Sequence, residues 1–217
     1  MNENLIENQN AATLSQKFIK YYKENKILLF FSLSIIIITF ISFIFYFETK
    51  EKKRIILSEN YIEAKIYIEQ GNKNKAANIL ETIILSNDKT YSALSLFLLI
   101  NEKLIQDDEK ILNFFTHILE NNKFNKEIEN LILFKKVLFQ SNFSQENDLL
   151  EAIKPLINTE TVWKAHALLL MGDYFASKKQ YVKARDFYMK ILDSKNLNIQ
   201  QEFKEHARSR LRLITNE

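Results

Sequence analysis

An apolar run without a charged side chain extends from Ile27 to Phe47, near the start of the chain. As a helix it would be about 31 Å long, which matches the hydrocarbon core of a bilayer. A buried core helix of that length would keep a polar face, and a cleaved signal peptide has a shorter apolar region followed by small residues. The run ends instead in the bulky pair Tyr46-Phe47. The pattern therefore predicts an uncleaved transmembrane signal anchor at residues 27–47, in contact with the lipid bilayer.

Beyond Lys50, apolar residues recur at helical spacing, and short polar breaks separate the stretches. The clearest unit places small residues at Gly172 and Ala184 and larger ones at Tyr188 and Ile191. A tetratricopeptide repeat has the same order of small, aromatic and apolar positions. The small residues would let the two helices of a hairpin approach closely, while the larger ones fill the space between hairpins.

Weaker copies of this unit precede it. The first two copies carry the following residues at the corresponding positions: Ala64, Tyr67, Gly71, Ala76, Leu80 and Ile83, and then Leu99, Ile111, Phe115 and Ile118. In the second copy, the acidic residues 107–109 favour a helix start through the helix dipole. A third, degenerate copy spans about 128–157, where Pro155 should kink or end the second helix.

Residues 198–201 resemble a helix cap and predict a closing helix. Its apolar face would carry Phe203, Ala207, Leu211 and Ile214. The sequence thus predicts an all-α protein with one N-terminal transmembrane helix, a tetratricopeptide-like α-solenoid of helical hairpins, and a C-terminal capping helix. The domains would be an N-terminal tail (1–26), the anchor (27–47) and the repeat domain (48–217). An ordinary helical bundle would produce the same apolar stripes.

Composition agrees with the helical prediction, since the chain has 2 Gly, 1 Pro and no Cys. Phosphate-binding glycine loops and regularly punctuated β folds need more of these residues. The absence of cysteine excludes disulfides, thiolate metal sites and a cysteine nucleophile. The 30 basic and 27 acidic side chains are evenly mixed, whereas nucleic-acid binding needs a concentrated basic face. We therefore expect no nucleic-acid partner.

No catalytic pattern is found in the sequence. His117, His166 and His206 lie far apart, and none has the spacing of a zinc motif. The pair Asp107-Asp108 points to different sides of a helix, so it does not form a hydrolytic dyad. We expect a non-enzymatic protein with no cofactor, no metal and no small-molecule substrate.

The first helix of each hairpin in a tetratricopeptide array lines a concave groove. In the register above, this face carries eight residues: Tyr61, Lys65, Ile68, Leu96, Ile100, His166, Leu169 and Asp173. The mixture suits apolar segments of a protein partner in extended or helical form. Only Lys65 offers a cation for a terminal carboxylate, so a carboxylate clamp is not predicted. The alternative is that these residues merely pack between neighbouring helices.

One stretch of the sequence resembles a known family. It reads Ile153-Lys-Pro-Leu-Ile157, then Val162-Trp-Lys164, Ala167, Gly172-Asp173 and Lys183-Ala-Arg185. This progression is similar to that of the alphaproteobacterial members of the YfgM-like family, ancillary subunits of the bacterial Sec translocon. The order of tail, single anchor and helical-repeat domain resembles that family along the whole chain.

The resemblance implies an accessory role beside the protein-export machinery. Expected partners are translocon subunits, a periplasmic chaperone or an emerging polypeptide. It also implies an inner-membrane location with the N-terminus in the cytosol and the repeat domain in the periplasm. Basic residues flank the anchor equally on both sides, so charge alone does not orient it. Two alternatives remain: a cytosol-facing assembly adaptor, and a non-catalytic anchored subunit of an envelope enzyme complex.

Overall fold

The regular secondary structure is entirely helical in residues 3–194 and 201–215, which the computed structural model describes, with side chains from Ile19 onward. The helices are α1 (Glu3–Glu69), α2 (Lys73–Ile84), α3 (Tyr91–Asn101), α4 (Asp108–Asn121), α5 (Lys126–Gln140), α6 (Glu146–Ile157), α7 (Trp163–Ser177), α8 (Tyr181–Leu192) and α9 (Gln201–Thr215). The all-α prediction is confirmed. The cap expected at 198–201 falls largely outside the described residues.

The N-terminal unit of the structure ends at Ile56 and contains the apolar run. Its helix is long and apolar enough to cross a membrane, and an 18-residue stretch of it has a mean hydropathy of 2.8. Hydroxyl groups inside the run donate to backbone carbonyls one turn earlier: Ser34 to Phe30 at 2.8 Å and Thr39 to Ile36 at 2.8 Å. These bonds satisfy side chains that would find no water in a bilayer. Asn25, two residues before the run, has a non-helical backbone (φ −118°, ψ 17°).

The C-terminal unit begins at Leu57, within α1, and its helices pack against one another in chain order from α2 to α9. Helices two apart also touch, α5 with α7 and α7 with α9. The end of α1 takes part in this packing through Ala64, which is fully buried. Each element therefore contacts mainly its nearest neighbours along the sequence.

The second helix of each hairpin buries the same three positions, spaced i, i+4 and i+7. The sets are Ala76, Leu80 and Ile83 in α2; Ile111, Phe115 and Ile118 in α4; Leu149, Ile153 and Leu156 in α6; and Ala184, Tyr188 and Ile191 in α8. This spacing puts the three side chains on one helix face. The sets predicted for α2, α4 and α8 are confirmed as core, and α6 shows that the degenerate third copy follows the same rule.

Several turns recur as well. A residue with positive φ follows α1, α3 and α7, namely Gly71 (77°), Lys103 (49°) and Lys179 (58°). In each turn the next N–H donates to the carbonyl five residues earlier, at 2.8 to 3.1 Å, which is the Schellman arrangement. The predicted start of α4 is confirmed, because the Asp107 carboxylate accepts from the Lys110 N–H at 2.9 Å.

The close approach predicted between α7 and α8 is confirmed. A Cβ atom built on Gly172 would lie 2.6 Å from Cδ1 and 2.8 Å from Cζ of Tyr188. Ala184 is completely buried in the same packing layer. Only a hydrogen at position 172 leaves room for the aromatic ring, which is why this hairpin needs glycine there.

Two hydrophobic cores stabilise the C-terminal unit. The first joins the end of α1 to α5, and the second joins α5 to α9. Pro155 lies late in α6, and the helix ends two residues later at Ile157, as its missing N–H predicts. In α9, Ala207 is buried and Phe203, Leu211 and Ile214 pack against the second core, so the predicted closing helix is confirmed.

Candidate functional site

The structure separates the eight residues predicted to line a groove. Leu96 is fully buried in the first core, which is the surrounding expected from the alternative, packing between neighbouring helices. Truncating it would open a cavity rather than remove a ligand contact. Lys65 and Asp173 each lie six residues before a positive-φ turn residue, and the equivalent residue of α3 is Phe97. The predicted Ile100 is in register with Ile68, because each lies three residues before its turn residue, whereas Leu96 lies one residue before the equivalent position.

The other predicted residues of the first core have mixed surroundings. Tyr61 is half-buried with its ring 6.1 Å from that of Tyr91, and burial raises the pKa of its hydroxyl. Ile68 and Ile100 are also half-buried against this core, whereas Lys65 is exposed. Of these, Ile100 borders an open depression of the surface.

His166 lies in an aromatic cluster beside the second core, and Leu169 packs against that core. The imidazole centroid is 5.2 Å from that of Trp163, 5.6 Å from that of Phe134 and 4.6 Å from that of Phe203. Burial among these rings lowers the pKa of His166. The surroundings are those of a structural histidine.

Asp173 on α7 forms hydrogen bonds with side chains of two other helices. Its Oδ1 accepts from the Tyr188 hydroxyl on α8 at 2.8 Å and from Arg210 Nε on α9 at 2.9 Å. Burial, followed by the bond to Asp173, raises the pKa of Tyr188. The carboxylate is thus engaged within the protein, and it positions the last helices.

An open apolar site of the C-terminal unit lies between α3 and α5. Two depressions, of about 520 Å³ and 300 Å³, follow each other along these helices and meet at the Phe97 side chain. The larger is lined by the first halves of both helices and the smaller by their last halves, so α3 and α5 border the same surface and run in the same direction. We call this surface the α3–α5 groove. Its apolar lining comprises mainly Leu94, Phe97, Ile100, Ile128, Leu131 and Leu138.

Several of these apolar side chains are accessible to a partner. Leu94 is 42% exposed, Leu138 39% and Ile128 38%. The lining also includes Lys89, Lys123 and Lys135, together with neutral polar groups such as Asn101 and Asn142. Exposed leucine and isoleucine side chains gathered in a concave surface are typical of a site that binds an apolar segment.

The sequence contained a signal for this groove. Helix α3 has no charged residue along its length, so apolar side chains surround it and one face remains outside the core. Helix α5 belongs to the degenerate copy, where the repeat pattern gave no alignment. The recurring turns align the other copies, because Phe97 of α3 lies as far before its turn residue as Lys65 of α1 and Asp173 of α7 do.

The described residues contain no cluster of three or more metal-ligating side chains. His117 bonds the Asn87 side chain at 2.8 Å, and His206 lies 3.5 Å from Glu202. Both histidine contacts join surface side chains of the C-terminal unit. The arrangement of the groove supports binding through shape and apolar contact.

The comparisons with known proteins yield no relative: no family model, curated protein or solved structure matches the chain.

Proposed function

We propose that this protein is a single-pass membrane protein whose C-terminal unit is a tetratricopeptide-like scaffold for other proteins, without catalytic activity. Two features support the repeat assignment. The buried triplet recurs in α2, α4, α6 and α8, and the Schellman turn recurs after α1, α3 and α7. Units that each contact only their neighbours bury a continuous core when stacked, which is the principle of a solenoid.

The observation that carries the binding function is the α3–α5 groove. Exposed apolar side chains gathered in a concave surface gain free energy when an apolar segment of a partner covers them. Attachment to a membrane raises the local concentration of the scaffold near other membrane proteins. Weak contacts in the groove are then sufficient for function.

The cellular setting that we propose follows from the resemblance to the YfgM-like family. The N-terminal tail would lie in the bacterial cytosol, residues 27–47 would cross the inner membrane, and the C-terminal unit would lie in the periplasm. There it would assist protein export by contacting translocon subunits, a periplasmic chaperone or an emerging polypeptide.

Photo-crosslinking in bacterial cells tests the binding function. A photoreactive phenylalanine analogue at Phe97 or Leu138 should capture proteins of the export pathway, identified by mass spectrometry. Val182 on α8 is a matched control, because it is apolar and 78% exposed but lies on another helix. Equal capture from all three positions would contradict binding in the groove.

Topology is tested separately. A reporter enzyme that is active only in the periplasm, fused after Glu217, should be active in intact cells. Activity of a cytosolic reporter alone at that position would place the C-terminal unit in the cytosol and favour the assembly adaptor instead.

A further inference from the structure

The dimensions of the α3–α5 groove limit what it can bind. Helix α3 has 11 residues, so the groove is about 16 Å long. That length matches three turns of a helix, or about five residues of an extended strand. A single amphipathic segment of a partner fits this space.

The charged side chains of the groove are all of one sign. Lys89 and Lys123 line the larger depression and Lys135 lines the smaller one, while neither lining contains Asp or Glu. Within the described part of the chain, none of the three forms an ion pair. Since the protein as a whole has 30 basic and 27 acidic groups, this local excess is not a consequence of composition.

Two carboxylates close to the groove are already engaged. Asp88, next to Lys89, accepts from the N–H groups of Thr90 and Tyr91 at 2.9 and 2.8 Å, which caps α3. Glu129 lies 3.4 Å from Lys126. The groove lysines are therefore available to an acidic partner.

From the proposed scaffold function, we infer that the α3–α5 groove binds an amphipathic protein segment that carries carboxylates along one edge. The apolar side of the segment packs on Phe97, Leu94 and Leu138. Its most acidic end lies over Lys89 and Lys123, which line the same depression, and the other end lies near Lys135. Charge complementarity fixes the direction of the segment, while apolar burial supplies most of the affinity.

Synthetic peptides test this inference on the full chain in nanodiscs of zwitterionic phosphatidylcholine. The probe is a fluorescein-labelled helical peptide with leucines at i, i+3, i+4 and i+7 and three glutamates clustered at one end. Two matched peptides carry glutamines or lysines instead. Each exposed ion pair contributes only a fraction of a kcal/mol, but several together should make the glutamate peptide bind about tenfold tighter than the glutamine peptide at low salt. Salt screens these pairs. The difference should shrink to about twofold in ~0.5 M salt.

Variants of the protein test the direction of binding. Lys89→Gln with Lys123→Gln should remove most of the advantage of the glutamate peptide and leave binding of the glutamine peptide unchanged. Lys135→Gln should have a smaller effect. Lys178→Gln with Lys190→Gln, near α8, is the matched double control and should change nothing.

The possible outcomes separate this inference from the scaffold proposal. Equal binding of the three peptides would overturn the charge preference and leave groove binding intact. Failure of all peptides to bind a protein with normal thermal unfolding would overturn both. Displacement of the glutamate peptide by phosphatidylglycerol vesicles would assign the lysines to lipid headgroups. Self-association that is lost in Phe97→Gln would assign the groove to a second copy. Either result would contradict the inference.

Discussion

Replacing Gly172 by alanine should destabilise the C-terminal unit, even though alanine is the better helix former. A methyl group at this position would lie 2.6 Å from Tyr188 Cδ1 and closer still to Cε1. The ring cannot swing away, because it is fully buried and its hydroxyl bonds Asp173 at 2.8 Å. Overpacking costs ~1–3 kcal/mol in general, and so close a contact belongs in the upper part of that range, about 2–3 kcal/mol. The gain in helix propensity is about 1 kcal/mol.

The expected net loss is therefore about 1–2 kcal/mol. For a domain of this size, each kcal/mol lowers Tm by about 2–4 °C, so Tm should fall by roughly 2–8 °C. The measurement is thermal unfolding of the full chain in mild detergent, followed by far-UV circular dichroism. The Tyr188→Leu background provides the decisive comparison, because removing the ring should make Gly172→Ala neutral or stabilising.

Gly71→Ala serves as a contrast. Nothing lies within 4 Å of a Cβ there, yet φ is +77°, so its cost of ~1–2 kcal/mol arises from the left-handed backbone. That cost should be the same in the Tyr188→Leu background. An unchanged or higher Tm for Gly172→Ala, or an equal loss with and without the Tyr188 ring, would refute the tight α7–α8 contact.

Further predictions concern packing, capping and pH. Ala184→Phe should overpack the same hairpin by ~1–3 kcal/mol or more, and an unchanged Tm would contradict the assigned register. Asp107→Ala should remove the cap of α4 and cost about 1 kcal/mol in denaturant unfolding, whereas Asp107→Asn should restore most of it. The pKa of His166 is lowered by burial, so the unfolded state binds its proton more readily and stability should fall as pH drops below about 6.5. His166→Gln should lose less Tm between pH 7.5 and 5.5 than the unsubstituted protein does. The same pH profile in both proteins would show that His166 does not cause the pH dependence.

Much of the fold could be predicted from local features of the sequence. The apolar run at 27–47 is recognisable without tertiary information, because its length and lack of charge are properties of one helix. Asp107 marks a helix start through a bond to a backbone N–H three residues away. The positions of Ala184 and Tyr188 followed from helical spacing and from the volumes of neighbouring side chains.

The candidate site was harder to predict because it depends on which helix face remains outside the core. A shift of one residue turns a side chain by about 100° around the helix, which separates buried Leu96 from Phe97 in the groove. Helix α3 has no charged residue to mark its exposed side. The sequence there is compatible with several rotations of the helix.

The sequence by itself determined what depends on near neighbours: the apolar helix, the start of α4 at Asp107, and the i, i+4, i+7 stripe that α2, α4 and α8 bury. Only the tertiary structure decided that α3 and α5 border the same groove, because this arrangement brings together residues from separate copies of the pattern. It also decided that Asp173 bonds Arg210 and that three lysines from separate segments line one groove. Such convergence is set by packing of the whole unit, since no local pattern specifies which distant side chains meet.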